Sequence, residues 1–149
     1  MGSYREHALE GASAVDLVVA LYDGIIRFLS AAIEAVDRND ADGRRAAVKR
    51  ALDIILHLQA RLRMDVGGRP AEALGEFYVS IFAQILQASQ SASKPKFEHA
   101  IACVRNVRDA WREVAKDFNG ASGHGIASPA RAASAAATGE EPAVASWTA

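Results

Sequence analysis

"FEHAIACVRNVRDAWREVAKDF", residues 97–118, reads as a helix with one broad apolar face. Phe97, Ile101, Val104, Arg108, Trp111, Ala115 and Phe118 recur in steps of four and three, the spacing that keeps side chains on one side of an α-helix. Only Arg108 breaks this seam. Cys103, Val107 and Val114 lie beside it and widen the face. Ser93 is placed to cap the helix, and Pro95 falls in the first turn, where a missing amide costs little.

Three further segments precede it. The first runs from about Ala14 to Asp37, with Ser13 as its expected N-cap, and carries Val18, Leu21, Tyr22, Ile25, Leu29, Ala32 and Val36 on one stripe. Val19, Ile26 and Ile33 widen that stripe. "NDADG", residues 39–43, collects cap and turn formers and starts the second segment, about Arg44 to Asp65. Its stripe is Val48, Leu52, Ile55, Leu58 and Leu62, with Ile54 and Leu56 off it. "GGRP", residues 67–70, reverses the chain, and Pro70 suits the opening turn of a third segment ending near Ser91. That segment presents Leu74, Phe77, Tyr78, Ile81, Phe82 and Ile85.

Segments of about 22 to 25 residues span roughly 33 to 38 Å at 1.5 Å per residue. Matched lengths joined by short turns predict an all-α antiparallel four-helix bundle over residues 13–118. Leu21, Leu52, Phe77, Ile101 and Trp111 are the expected core. Residues 1–12 read as a flexible N-terminal segment. Residues 119–149 form an Ala/Gly/Ser-rich C-terminal tail, punctuated by Gly120, Gly123, Gly125, Pro129, Gly139 and Pro142, for which disorder is expected. Trp147 is its one large aromatic side chain.

Composition narrows function mainly by exclusion. Lys plus Arg is 17 and Asp plus Glu is 18, so net charge favours no nucleic-acid partner. The second segment is locally basic, with Arg44, Arg45, Lys49, Arg50, Arg61 and Arg63 against Asp53, but no aromatic interleaving accompanies them. Asp23 and Arg27 interrupt the most apolar run, so no stable membrane insertion is expected. A start carrying Arg5, Glu6 and His7 and a single Cys103 point to a cytoplasmic protein. No carboxylate stands three residues before His7, His57, His99 or His124, so the dimetal helix motif is missing, and Cys103 has no second thiol for a zinc site. Neither a metal nor another cofactor is expected, and no constellation supports an enzyme. The positive signal is apolar width on several helices beyond what one seam requires.

The ordered motifs carry a resemblance. Tyr4, Leu9, "GAS" at 11–13, Leu17 and "LYDG" at 21–24 are followed by "RALDIILHLQARL" at 50–62, "GGRPAEALGEFY" at 67–78 and "VRDAW" at 107–111. Together, across Tyr4–Trp111, they resemble the flagellin-specific export chaperone family, FliS. Ala14 stands where that family usually has proline. Phe77 to Ile81 replaces a more polar run, and Ser89 and Ser93 stand where Asn and Asp are usual.

The resemblance implies a cytoplasmic chaperone that binds the disordered C-terminal segment of flagellin, prevents its premature polymerisation and presents it to a component of the flagellar export gate. It also implies client-holding helical grooves. With the apolar spacing, it points to Ile54, Leu58 and Leu62 of the second helix and Val104, Val107 and Val114 of the fourth as partner-binding residues. The same spacing fits core positions equally well. Tyr4 and Leu9 match residues of an N-terminal segment that covers apolar surface in the family, which implies a displaceable plug. The competing reading is a divergent helical adaptor or regulatory protein that keeps the bundle but binds a different client.

Overall fold

The computed structural model describes the backbone of residues 2–65, 68–118 and 128–137, and the side chains of 13–62, 68–117 and 128–137. Among them the fold is all-α, with five helices and no strand. They are α1 (Gly2–Asp37), α2 (Ala41–Asp65), α3 (Gly68–Gln90), α4 (Lys94–Phe118) and α5 (Pro129–Ala137).

The turns explain where the helices stop. After α1, the Asp40 N–H donates to the Ala35 carbonyl and the Asn39 N–H to that of Val36, with Asn39 at φ 56°. This left-handed residue closes the helix and satisfies carbonyls that the last turn would otherwise orphan. Asp40 then caps α2, its Oδ1 accepting the Gly43 N–H at 2.9 Å. A side chain at Gly43 would meet that carboxylate, so the Asp40 cap would have to shift to admit it. The α3–α4 turn repeats the design: Ser93 N–H to Ala88, Ala92 N–H to Ser89, and Ala92 at φ 48°. Ser93 caps α4 through Oγ, which accepts the Lys96 N–H at 3.3 Å. Alanine is a poor occupant of left-handed backbone, so Ala92→Gly should stabilise the fold by up to about 1 kcal/mol in urea titration. A loss of stability would show that this turn tolerates alanine without strain.

Contacts between helices fix their direction and register. Lys94 of α4 pairs with Asp37 of α1 at 2.9 Å, and Arg108 pairs with Asp23 at 2.9 Å, so α1 and α4 run antiparallel. Arg44 Nε lies 3.4 Å from Ser89 Oγ at one end of the α2–α3 pair, and Leu62 lies against Gly75 at the other. A Cβ built on Gly24 would come within 3.1 Å of Ile54 Cδ1, which sets how closely α1 approaches α2. Neighbours form a closed ring, α1–α2–α3–α4–α1, and α5 lies across α3 and α4.

The ring encloses the core, whose largest fully buried side chains include Tyr22, Ile25, Leu29, Ile55, Phe77, Ile81, Ile85, Phe97, Val104 and Val107. Of the expected core residues, Phe77 and Ile101 are buried, whereas Leu21, Leu52 and Trp111 are half-buried at its edge. Three residues of "LYDG" each meet a different part of the ring. Tyr22 Oη hydrogen-bonds Tyr78 Oη at 2.8 Å inside the core, Asp23 meets Arg108, and Gly24 admits Ile54. Arg108, the one break in the α4 seam, is thus the cation that ties α4 to α1, and it reaches Asp109 as well.

Two expectations about the chain ends are corrected. Helix α1 begins at Gly2 and runs through Ser13, which is therefore no N-cap. With alanine at position 14 in place of proline, nothing there denies the helix an amide or clashes with the preceding turn. At the other end the tail is not without structure. Ser128 Oγ accepts the Arg131 N–H at 3.1 Å, Pro129 occupies the first helical position, and an alanine-rich run carries α5 to Ala137. The glycines and Pro142 that suggested disorder flank this run without interrupting it. Trp147 lies outside the described residues.

Candidate binding surface

Position in the ring decides which apolar residues are free to meet another molecule. Val104 and Val107 are 0% exposed and Leu58 is 4% exposed, so all three belong to the interior. Ile54, Leu62 and Val114 are half-buried. These six residues do not converge. Helices α2 and α4 stand across the ring from each other, so no groove runs between them. Ile54 faces α1 beside Gly24, whereas Leu62 faces α3 beside Gly75. Tyr4 and Leu9 lie on helical backbone at the start of α1, and their side chains are outside the described residues.

A different surface brings exposed apolar groups together. Helix α3 has two stripes. Leu74, Phe77, Tyr78, Ile81, Ile85 and Ala88 point inward. Gly75, Val79, Phe82 and Leu86 form a second, outward stripe by their spacing of four, three and four, on the flank that holds Leu62. Val79 is 60% exposed and Leu86 is 38% exposed, while Phe82 is half-buried. On α2, Leu52 and Leu56 occupy the flank turned to α3, and Leu56 is 51% exposed. The antiparallel register set by Arg44–Ser89 and Leu62–Gly75 brings Leu56 level with Val79 and Leu52 level with Phe82.

The α2–α3 flank holds a groove of about 480 Å³ lined by Gln59, Glu72, Gly75, Glu76, Val79 and Ser80. A second groove, about 520 Å³, lies between α1 and α2 and is lined by Phe28, Ala46, Lys49, Arg50, Asp53 and Ile54. There the guanidinium carbons of Arg27 and Arg50 stand 5.3 and 5.7 Å from the Phe28 ring centroid, so an apolar floor carries a cationic rim. Sequence spacing missed Leu56 and Val79 because both fall off the inner stripes. The available signal was the second period on α3, 75–79–82–86, which is invisible once 74–78–81–85 has been taken as the helix's only face.

Among the described residues no group of three or more His, Cys, Asp or Glu could hold a metal ion, and no helix is long and apolar enough to cross a membrane. Burial pushes the Cys103 thiol up, away from the thiolate a nucleophile requires. What the α2–α3 flank presents to solvent is apolar side chain: Leu56, Val79 and Leu86.

Residues 1–117 match the family model described as "Flagellar protein FliS". The chain is similar to proteins named flagellar secretion chaperone FliS from several bacteria. That of Bacillus subtilis (strain 168) is 22% identical over 125 residues, covering 81% of this chain and 92% of the relative. The Vibrio cholerae (strain N16961) protein is 27% identical over 111 residues, with 74% and 82% covered. The Campylobacter jejuni (strain 81116) protein is 28% identical over 112 residues, with 75% and 88% covered.

Proposed function

The chain belongs to the FliS family of flagellar secretion chaperones, and from that membership we propose that it holds the disordered C-terminal segment of flagellin in the cytoplasm. The role is non-enzymatic. The four long helices act as one antiparallel bundle whose interior is filled, and the client binds to the apolar flank that remains outside. Exposed Leu56, Val79 and Leu86, aligned along α2 and α3 with half-buried Leu62 and Phe82, are the single observation that carries this reading.

A flagellin segment laid along that strip orders its own amphipathic turns as it removes leucine, valine and phenylalanine surface from water. Each 100 Å² of apolar area covered contributes about 2.5 kcal/mol before the cost of ordering the segment is subtracted. That cost keeps net affinity modest and allows the client to be released. While bound, the segment cannot meet other flagellin molecules, so polymerisation is withheld until the complex reaches the export gate. Ile54 and the cationic rim around Phe28 supply a second contact for an acidic stretch of the client or for the gate. Tyr4 and Leu9 serve as a displaceable cover at the start of α1.

Leu56→Asp and Val79→Asp test this directly. Both side chains are more than half exposed, so thermal midpoints should change little, whereas affinity for the flagellin C-terminal segment should fall at least tenfold in calorimetry. Unchanged affinity in both variants would remove the α2–α3 flank from the binding site. Failure of the folded wild-type protein to bind the segment at all would favour an adaptor with another client.

A further inference from the structure

Helix α5 lies beyond residue 117, where the family match ends, yet it is seated on the fold. It rests on α3 and α4. Pro129, Ala132, Ala133 and Ala136 are its buried residues, at positions i, i+3, i+4 and i+7 of one helical face. Ala133 is 0% exposed, while Arg131 and Ser134 on the opposite side face water. The face that α5 covers belongs to the ring's outer edge. On α4, Arg108 and Arg112 mark the side turned to α1 through Asp23, and Cys103, Ala110 and Val114 lie on the other flank. The remaining neighbours of α4 on that flank are α3 and α5.

A nine-residue helix held by one proline ring and three methyl groups is a weak occupant. Being part of the same chain, it competes for this face at high effective concentration. A helix from another chain with the same i, i+3, i+4, i+7 spacing and larger side chains would cover more apolar surface on the same face.

We propose that α5 is an intramolecular stand-in for a client helix, holding the α3–α4 face until a helical turn of the flagellin segment, with apolar residues larger than alanine at that spacing, displaces it. This rests on the chaperone reading above and adds a second client surface, distinct from the α2–α3 strip. It also assigns the tail a purpose: the face is never bare, so the unloaded chaperone does not offer it to unrelated apolar chains.

The full-length variant Ala133→Glu places a carboxylate in the α5 contact and should release the helix. Binding of an apolar dye should rise, and the apparent dissociation constant for the flagellin C-terminal segment should fall by about tenfold, because the competing occupied state is lost. Ala132→Gly with Ala136→Gly weakens α5 without introducing charge and should move both readouts the same way. Ser134→Glu, on the exposed side, should move neither. Circular dichroism checks that each variant stays folded. Unchanged dye binding in both α5 variants, or a dye increase with no gain in affinity, overturns the proposal. Wild-type binding of the segment is scored separately: its absence speaks against the chaperone reading, whereas the ratio of variant to wild type speaks to α5 alone.

Discussion

Val107→Asp should lose a large part of its stability rather than yield an equally stable protein deprived of its client. Val107 is 0% exposed and sits in the interior of the ring with Val104 and Phe97. An aspartate there either carries an unpaired charge out of water or becomes a protonated polar group without a partner, and the apolar packing is lost as well. These terms together cost roughly 4 kcal/mol or more, a large share of the 5–15 kcal/mol that holds a typical domain together. Urea titration of the variant beside Val79→Asp gives the contrast. The aspartate at position 107 should abolish or greatly lower the transition midpoint, while that at 79 should leave it nearly in place. Equal midpoints would move Val107 out of the interior.

Alkaline pH should destabilise the fold through the tyrosine pair. Burial is the main cause that raises the Tyr78 hydroxyl from 10.0 to about 12 and carries that of Tyr22 well above its usual range. In the unfolded chain both hydroxyls lose their protons near pH 10. Between pH 10 and 12 the native state therefore holds more protons than the unfolded state, and stability falls as pH rises. Tyr78 alone accounts for about 2 kcal/mol lost by pH 12, at up to 1.36 kcal/mol per pH unit, and Tyr22 acts in the same direction. Below pH 10 the pair contributes no slope. Tyr22→Phe combined with Tyr78→Phe removes both ionisable groups and their shared bond while keeping the rings, so its stability near neutral pH should stay close to wild type. Its decline between pH 10 and 12 should be shallower. Parallel curves for the two proteins would mean that other groups set the alkaline limit.

Much of this fold was legible in the residues because helices announce themselves through local chemistry. The period of residues 97–118 gives α4, Ser93 and Pro95 give its start, and "NDADG" contains the Asp40 cap of α2. Local signals failed where a distant or missing residue decides. Ser13 has the right chemistry for a cap, yet the helix passes through it because Ala14 does not stop it. The tail's glycines argued for disorder, but they stand outside Pro129–Ala137.

The candidate surface was less legible, for a geometric reason. Spacing along one helix says that Leu58, Val104 and Leu56 lie on particular faces, but not which face the neighbouring helices cover. That depends on the order of helices around the ring. With α2 and α4 opposite each other, their facing valines and leucines become interior, while Leu56, set aside as off-stripe, and Val79, which the inner period of α3 passes over, become exposed. Arg108 carries the same lesson from the other side. A cation in an apolar seam looks like a defect until Asp23 of α1 appears 2.9 Å away.

The most direct measurement of client holding is an NMR titration of the folded, isotope-labelled protein with the flagellin C-terminal segment. Saturable shifts should centre on Leu56, Leu62, Val79, Phe82 and Leu86, with the buried Tyr22 and Val104 little affected. A folded protein that shows no saturable shifts with an intact segment, or whose shifts leave the α2–α3 flank untouched, would contradict the account.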